Sequence, residues 1–282
     1  MAQAANKKVK VVQIIARMNV GGPAVIVADL MRSIDSSKVE QVLITGYCDS
    51  DEADYLETVA TDIKATRIAG LGRSVSVVSD VRAFFALVAM IKKIAPDAIH
   101  THTAKAGVLG RLAALLAGRS AKRVHTFHGH LLHGYFSGWK VKLVIAIEKF
   151  LAKRTDIFVA VGNQVKSDLL AAGIGKADQY RVFYPGLVEP AKVSKEAARQ
   201  QFDMAAGDIY VAYVGRMTAI KRPDRLLNTA AEIKARNLPV KFIVAGEGDL
   251  LDLHLGGQLV LQTIGVDEDA VVLFLQPLHL VR

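Results

Sequence analysis

Histidine can accept or donate a hydrogen bond, move a proton or ligate a metal, and it is concentrated in one short part of this sequence. Six of the eight histidines fall between residues 100 and 133: His100, His102, His125, His128, His130 and His133. A zinc or iron site is one hypothesis, since imidazole is a common ligand of both metals. The sequence has no H-E-x-x-H pattern and only Asp97 as a nearby acidic residue, which favours a hydrogen-bonding site over a metal site.

His128 has the most distinctive position in this group. It precedes Gly129 and lies at the predicted end of a strand, where parallel sheets form their ligand crevices. This position predicts a hydrogen-bonding or charge-stabilising role for His128. For His100 and His125 the alternative, a core histidine without a catalytic role, stays open.

Two adjacent glycines, Gly21 and Gly22, follow the first predicted strand and precede a predicted helix. Glycine lets backbone N–H groups approach a ligand, and Pro23 suits the first helical turn because its missing N–H is not needed there. A phosphate or a sugar hydroxyl would also meet the positive end of the helix dipole. An ordinary strand-to-helix turn accounts for the same residues. The pattern G-x-G-x-x-G is absent, which argues against a nicotinamide or flavin domain.

Two cations, Arg216 and Lys221, lie in a predicted loop further along the chain. Arginine binds a diphosphate through a bidentate fork and lysine binds it as a point charge, although a solvated basic loop has the same pattern. A second glycine-rich turn contains Gly246, Glu247 and Gly248, and small residues there would admit a flat ring close to the backbone. Both segments follow predicted strands, where a ligand crevice is expected.

Aromatic and basic residues meet at the start of one predicted helix, Trp139–Lys153. Tyr135 and Phe136 precede this helix, and Trp139, the only tryptophan, begins it. A helix packed on a sheet produces the same pattern, and that is the default interpretation of the helix itself. The aromatic and basic residues at the start of this helix are better suited to contact with an anionic lipid surface.

The elements that must position these residues alternate between strands and helices. The predicted strands are Val9–Ile15, Gln41–Thr45, Ala98–His102, Arg123–His128, Ile157–Val161, Tyr180–Tyr184, Ile209–Val214, Val240–Ala245 and Ala270–Leu275. The predicted helices include Ala24–Ile34, Ser79–Ile94, Lys105–Ala117, Trp139–Lys153 and Arg222–Ala235. Near-continuous Val and Ile runs are typical of parallel strands buried on both faces, so the fold class is predicted as α/β, with doubly wound parallel sheets.

A linker is predicted from Pro185 to Ser194, where the periodicity lapses and two prolines and a glycine occur close together. The sequence is therefore divided into a first domain of residues 1–188 and a second domain of residues 189–282. Only three strands are predicted in the second domain. It is expected to be incomplete, with poorly buried apolar faces and low stability.

Composition limits the classes of protein to which the chain can belong. Its 282 residues are 51% hydrophobic and include 36 Lys and Arg against 27 Asp and Glu, a formal charge of +9. The hydrophobic fraction excludes a disordered chain, and no uncharged apolar run reaches the roughly 18 residues of a membrane-spanning helix. A single cysteine excludes an internal disulfide, and no secretory signal is evident, so a cytoplasmic location is expected. The positive charge suits nucleic acid, an anionic membrane or phosphorylated small molecules.

Four of these segments, in this order, resemble the family-4 retaining glycosyltransferases of GT-B architecture, in the branch that builds bacterial surface polysaccharides. The resemblance rests on the Gly21-Gly22 loop, the strand end at Thr126–Gly129, the pair Arg216 and Lys221, and the turn at Ala245–Gly248. Members of that family have two Rossmann-like domains that face each other, with the nucleoside diphosphate sugar bound in the cleft. The resemblance therefore implies a GT-B fold with an incomplete second domain.

The resemblance also implies roles for individual residues. His128 would contact the donor sugar near its anomeric centre and act in catalysis. The implied donor-binding residues are Gly21, Gly22, Arg216, Lys221, Gly246 and Glu247. The implied acceptor or membrane side consists of His130, Tyr135, Phe136 and Trp139. Because fixed cations would neutralise the diphosphate leaving group, neither a metal nor another cofactor is expected.

The activity that the resemblance implies is transfer of a sugar, with retention, from a nucleoside diphosphate sugar to a lipid-linked or glycan acceptor. The enzyme would work in the cytoplasm and bind peripherally to the anionic inner face of the cell membrane. No nucleic-acid partner is expected, because the sequence does not predict exposed strands with interleaved aromatic and basic residues.

One motif of the family is missing from this sequence. The family has Glu-x7-Glu in its second domain, and no glutamate here has another glutamate eight positions further on. A C-terminally truncated member is therefore expected, and two alternatives stay open. One is an inactive remnant that binds nucleotide sugars, which the missing motif favours. The other is a nucleotide-sugar epimerase of the same architecture, which would need carboxylates to abstract a proton.

Overall fold

A computed structural model describes residues 7–50, 52–118, 120–129, 138–186, 192–215, 217–245, 259–265 and 271–277. The chain forms two compact units, Met1–Glu189 and Pro190–Arg282. The sequence places the corresponding boundary after residue 188, inside the proline-containing segment. Each unit is built on its own β-sheet.

The first unit contains a parallel sheet of seven strands. They are β1 (Val9–Ile15), β2 (Val39–Thr45), β3 (Ala65–Arg67), β4 (Ala98–His102), β5 (Lys122–Phe127), β6 (Ile157–Ala160) and β7 (Tyr180–Val182). Their order in the sheet is β3-β2-β1-β4-β5-β6-β7, and every neighbouring pair runs parallel. The predicted α/β class is confirmed, and β3 is the strand of this sheet that the sequence pattern missed.

Helices connect these strands and cover both faces of the sheet. They are α1 (Gly22–Ser33), α2 (Tyr55–Thr58), α3 (Val77–Ile94), α4 (Ala104–Leu116), α5 (Trp139–Ala152) and α6 (Asn163–Ala171). Strand alternation sends Val12 and Ile14 into the core beneath α3 and α4, while Ile15 and Leu43 pack with residues of α1. Because β1 is covered on both faces, its sequence is almost continuously apolar.

The order of the strands reverses at β1. The chain moves from β1 outward through β2 and β3, then returns to place β4 on the other side of β1. In open α/β sheets, ligands bind beyond the carboxyl ends of the strands at such a reversal. The segments that leave this edge follow Ile15, His102 and Phe127, the last residues of β1, β4 and β5. The fold therefore brings the glycine loop and His128 to the same edge of the first sheet.

A buried ion pair fastens α5 to α4. Nη2 of Arg111 lies 2.7 Å from Oε1 and 2.8 Å from Oε2 of Glu148, and both side chains are 2% exposed. Nε of Arg111 also donates to the carbonyl of Gly107 within α4. The buried face of α5 thus includes a carboxylate beside Leu151, whereas Phe150 is half exposed.

The second unit contains a mixed sheet of four strands. Its elements are α7 (Lys195–Gln201), β8 (Ile209–Val214), α8 (Pro223–Ala235), β9 (Val240–Ala245), β10 (Leu259–Gly265) and β11 (Val271–Pro277). β8 and β9 are parallel as predicted, but β11 runs antiparallel to both β9 and β10, where the sequence pattern predicts a parallel strand. Only residues 266–270 separate β10 from β11. A parallel crossover needs about a dozen residues, so this short connection permits only an antiparallel pair.

Apolar side chains of β8 are poorly covered. Ile209 is 56% exposed and Val214 is 82% exposed, whereas Phe242 and Val244 of β9 are buried. The small core of this unit also contains Met217 and residues of α8. The exposure of β8 agrees with the incomplete burial that the sequence predicts for this part of the chain.

Candidate active site

His102 and His128 meet at the carboxyl ends of β4 and β5. His102 is completely buried, and its Nδ1 lies 2.9 Å from Nε2 of His128, which follows the last residue of β5. On its other side, Nε2 of His102 lies 3.0 Å from Oε1 of Gln13 in β1. Two histidines that are far apart in the sequence are thus joined at the edge where a ligand crevice is expected.

His100 and His125 are held within the sheet. Nε2 of His100 lies 2.7 Å from Oγ1 of Thr126, and Nδ1 of His125 lies 2.8 Å from Oγ1 of Thr101. The ring of His125 also packs edge-on against Phe127, with 4.6 Å between ring centroids. Both histidines have partners inside the protein, which favours their interpretation as core residues.

All four histidines are electrically neutral at neutral pH. Burial lowers the pKa of His128 from its ordinary value of 6.5 to about 4, and burial with the nearby His128 lowers the pKa of His100 to about 4. Burial also holds the pKa values of His102 and His125 well below the usual range. Of the two roles that the sequence predicts for His128, this charge state favours hydrogen bonding over charge stabilisation.

The cluster uses its ring nitrogens in hydrogen bonds between side chains. Across the ranges that the structure describes, no three His, Cys, Asp or Glu side chains are grouped as metal ligands. His102 uses both ring nitrogens, one toward Gln13 and one toward His128. His102 therefore has no ring nitrogen free to bind a metal.

The glycine loop forms the start of α1. Gly21 is the N-cap, no side chain of the described residues caps the helix, and Pro23 lies in its first turn. A Cβ atom on Gly22 would meet nothing within 4 Å, and a Cβ atom on Gly21 would meet only the carbonyl oxygen of Asn19, at 3.8 Å. Packing does not require glycine at either position. The space beside the Cα atoms of both glycines is open, as a close approach of a ligand to the loop would need.

The segment that leads from β1 to the glycine loop is braced by its neighbours. The amide of Ala16 donates to Oγ1 of Thr103, which follows β4, over 3.3 Å. The amide of Tyr55 donates to the carbonyl of Met18 over 2.7 Å, and the amide of Val20 donates to a neighbouring carbonyl. These bonds set the path of the chain between β1 and α1.

In the second unit, the structure describes Lys221, one of the predicted donor-binding residues. Lys221 ends a short 3-10 helix, Ala219–Lys221, which Arg222 separates from α8, and its side chain is exposed. The adjacent Arg222 is already paired, with Nη2 2.5 Å from Oδ2 of Asp224. Lys221 thus lies in the loop between β8 and α8, as the sequence predicts.

Several predicted site residues lie outside the residues that the structure describes. They are Arg216, Gly246, Glu247, His130, Tyr135 and Phe136. Their roles stay predictions. Trp139 is described: it is the first residue of α5 and is 69% exposed. No helix in the described ranges is long and apolar enough to cross a membrane.

Two residues beside the histidines were not predicted as part of the site. Gln13 in β1 is 1% exposed and donates from Nε2 to Oε1 of Gln41 in β2, over 3.2 Å. Gln13 interrupts the apolar run from Val11 to Ile15, which is the signal in the sequence that marks it, whereas Gln41 follows Glu40 near the start of β2 and has no such signal. Their connection to His102 depends on strand register, which periodicity alone does not reveal.

Known proteins similar to this chain act on sugars. The galactosyltransferase from Escherichia coli named UDP-Gal:alpha-D-GlcNAc-diphosphoundecaprenol alpha-1,3-galactosyltransferase is 28% identical over 206 residues, which cover 71% of this chain and 52% of that protein. The capsular polysaccharide biosynthesis glycosyltransferase CapM from Staphylococcus aureus is 22% identical over 200 residues, covering 69% of this chain and 52% of its own length. The chain thus spans about half the length of these curated relatives.

Solved structures and a family profile agree with these relatives. Anabaena HepE in complex with UDP and glucose aligns with a TM-score of 0.63 and 20% identity, over 86% of this chain and 63% of that one, which confirms the GT-B-type fold. The sequence profile described as glycosyl transferase 4-like domain matches residues 21–186, a stretch that includes the glycine loop, His102 and His128. The chain therefore belongs to the glycosyl transferase 4-like family.

Proposed function

We propose that the chain acts in a retaining glycosyltransferase that moves a sugar from a nucleoside diphosphate sugar to a lipid-linked or glycan acceptor during cell-surface polysaccharide synthesis. One observation carries the proposal. Within the family match, the open glycine loop and His128 lie at the same edge of the sheet, where the strand order reverses.

The relatives support the proposed substrates. The name of the Escherichia coli relative specifies UDP-galactose as donor and a diphosphoundecaprenol-linked sugar as acceptor, and the HepE structure holds UDP and glucose. We extend to this chain the class of donor, a nucleoside diphosphate sugar, and the class of acceptor, a lipid-linked or glycan hydroxyl.

The proposed reaction exchanges one bond at the anomeric carbon of the sugar. The bond from that carbon to the diphosphate breaks, the acceptor hydroxyl bonds to the same face, and its proton passes to the departing diphosphate. The amides at Gly21 and Gly22 would bind the donor, and His128 would contact its sugar. Negative charge grows on the leaving diphosphate, so the cations Lys221 and Arg216 would lower the barrier directly.

Metal independence is part of this proposal. The two cations would supply the positive charge that a divalent ion supplies in other transferases, and both ring nitrogens of His102 are hydrogen-bonded within the protein. Glycosyl transfer in the presence of excess EDTA is therefore expected to equal transfer without it. A loss that Mg²⁺ restores would contradict this part of the proposal.

Peripheral membrane contact is a further part of the proposed function. Trp139 is 69% exposed, Phe150 is 50% exposed, and the basic residues Lys142 of the same helix and Lys153 at its C-cap are exposed. Aromatic and basic side chains together suit the headgroup region of anionic lipid. Co-sedimentation with phosphatidylglycerol vesicles, compared between the protein and its Trp139→Ala variant, tests this contact.

A panel of UDP-, GDP- and ADP-sugars tests the proposed function. The expected result is a rise in melting temperature with at least one donor, and release of its nucleotide that is lost in the His128→Ala variant. Binding without turnover would support the inactive remnant. Conversion of the donor sugar without nucleotide release would support the epimerase, and the absence of both signals would contradict the proposal.

A further inference from the structure

A row of polar side chains crosses one face of the first sheet, on the side covered by α1. Gln41 lies in β2, Gln13 in β1 and His102 in β4, which are neighbours in the sheet, and His128 follows β5. Residues two positions apart share a face, so Gln13 and Gln41 lie on the same face as Ile15, which packs with α1. Which group donates and which accepts at each hydrogen bond along this row can be assigned from the backbone carbonyls at one end of it.

The assignment of donors and acceptors starts at the last turn of α1. Nε2 of Gln41 lies 3.1 Å from the carbonyl oxygen of Leu30 and 3.4 Å from that of Met31. Carbonyl oxygens only accept, so the amide nitrogen of Gln41 must face them and its oxygen must face Gln13. Nε2 of Gln13 donates to that oxygen, and this leaves Oε1 of Gln13 to face His102.

The same argument continues through the two histidines. Because Oε1 of Gln13 accepts, Nε2 of His102 must carry the proton, and a neutral imidazole then has a lone pair at Nδ1. That lone pair lies 2.9 Å from Nε2 of His128, which must therefore be the donor. The remaining nitrogen of His128, Nδ1, is left as an acceptor. It is buried and has no hydrogen-bond partner within the described part of the chain.

We propose that Gln41, Gln13 and His102 are positioning residues that hold His128 as the Nε2–H tautomer, so that its Nδ1 lone pair accepts a hydrogen bond from a hydroxyl of the sugar substrate. A lone pair repels the oxygen of a phosphate and attracts O–H, so this arrangement selects the sugar over the diphosphate. A buried acceptor without a partner is unfavourable, and the hydroxyl would relieve that deficit. The hydroxyl contact rests on the proposed function, whereas the tautomer does not.

Nitrogen NMR tests the tautomer directly. In protein labelled with ¹⁵N-histidine, long-range ¹H–¹⁵N spectra separate the Nε2–H form from the Nδ1–H form, and the His128→Asn variant identifies the signals of His128. At pH 7.5 the expected pattern is a single Nε2–H tautomer. An Nδ1–H pattern, or a mixture of the two forms in the unaltered protein, would overturn the proposal without the need for any further variant.

Variants test whether the row of side chains determines this tautomer. Gln13→Met removes the acceptor of His102, and Gln41→Met removes the anchor of Gln13, so either one is expected to convert His128 to a mixture of tautomers. Thr101→Val is the matched control: it removes the buried partner of His125 in the same strand as His102, and His128 should keep its pattern. An unchanged His128 pattern in whichever glutamine variant folds would overturn the role of the row.

Sugar nucleotides test the hydroxyl contact in the same spectra. UDP-galactose or UDP-glucose is expected to shift the Nδ1 signal of His128, while UDP, which lacks the sugar, leaves it in place. A UDP-sugar that raises the melting temperature without moving this signal would overturn the contact. If no donor of any base binds, the proposed function fails together with the contact, and the spectra of the free protein still decide the tautomer.

Discussion

The chemistry of His128 comes from its surroundings more than from its intrinsic basicity. Burial lowers its pKa to about 4, and the contact with His102 occupies its Nε2. A free histidine would be partly charged near pH 6.5. In this protein the side chain is a neutral group, and its proposed contribution to catalysis is a directed hydrogen bond to the sugar.

Substitution of Gly22 by alanine separates ligand binding from folding. Because a Cβ atom there meets nothing within 4 Å, Gly22→Ala is expected to leave the melting temperature unchanged or slightly raised. The added methyl group would occupy the space through which a donor approaches the backbone, so donor affinity should fall. Calorimetric titration with the donor checks this expectation, and unchanged affinity would contradict the assigned role of the loop.

Variants of two neighbouring cations can distinguish a direct contact with the diphosphate from an effect of net charge on UDP binding. Lys221 is exposed and assigned to the diphosphate, whereas Arg222 is paired with Asp224. Loss of a charge-assisted hydrogen bond is worth about 1.5–3 kcal/mol, so Lys221→Gln should weaken UDP binding roughly tenfold or more. Arg222→Gln, which removes the same charge, should change it by less than about threefold. Equal effects of the two variants would show that only net charge matters.

At the scale of the helices, a buried ion pair joins α4 to α5. Removing one partner leaves a buried charge, so Arg111→Met or Glu148→Leu should each lower the free energy of unfolding by about 3–5 kcal/mol. The double variant should regain most of this loss. Urea unfolding followed by circular dichroism and Trp139 fluorescence measures the changes.

An exposed pair provides the control for this experiment. Nζ of Lys38 lies 3.4 Å from Oδ2 of Asp35, and the two side chains are 80% and 51% exposed. Lys38→Met should therefore change the free energy of unfolding by less than about 1 kcal/mol. Losses of similar size at Lys38 and at Arg111 would contradict the importance assigned to the buried pair.

The elements that the sequence predicts well are those with long apolar runs. β1, β8 and β9 have the predicted bounds because each is a run rich in Val and Ile, and in β1 these residues are buried on both faces of the sheet. β3 has three residues, of which only Ala65 is apolar, so no apolar run marks it in the sequence. The antiparallel direction of β11 was missed because pairing direction depends on a short connection beside β10, an element that was itself not predicted.

The candidate site was predictable to the extent that it follows from the sheet. The rule that ligands bind at carboxyl ends of parallel strands places the ends of two predicted strands, and with them His102 and His128, at a candidate crevice, whereas their contact is seen only in the structure. The contribution of Gln13 and Gln41 was not predictable, because it depends on the register between β1 and β2 and on the carbonyls of α1. Local sequence patterns reveal neither the register of the two strands nor the position of these carbonyls.

At the scale of the whole molecule, the neutral histidines make stability depend on pH. The pKa values of His100 and His128 are about 4 in the folded protein, and burial also lowers those of His102 and His125 from the value of about 6.5 in the unfolded chain. The unfolded chain therefore binds more protons as the pH falls below 6.5. Stability should be fully present above pH 6.5 and fall toward pH 4, by about 1.4 kcal/mol per pH unit for each such histidine.

Urea unfolding at a series of pH values checks this dependence. The expected free energy of unfolding is constant between pH 7 and 8 and falls between pH 6.5 and 4. Carboxylates with lowered pKa values, such as Asp62, contribute only below about pH 4, so the two effects occupy different windows. Equal stability at pH 7.5 and pH 5 would contradict the neutral, buried state of the cluster.

The positions of particular cations limit the partners that the formal charge of +9 suits more than composition alone does. In the proposed function, Lys221 and Arg216 would place part of this charge beside the diphosphate of a donor, and basic residues of α5 would place another part beside anionic lipid. The proposals for both therefore follow from the positions of particular cations and not from the total.

Transfer of labelled sugar to a lipid-linked acceptor tests the central claim most directly. The protein is incubated with a radiolabelled UDP-sugar and an undecaprenyl-diphosphate-linked N-acetylglucosamine, and the lipid phase is extracted. The proposed function predicts labelled lipid that requires both substrates, disappears in the His128→Ala variant and has the anomeric configuration of the donor. No labelled lipid with any UDP-, GDP- or ADP-sugar, or a product of inverted configuration, would contradict it.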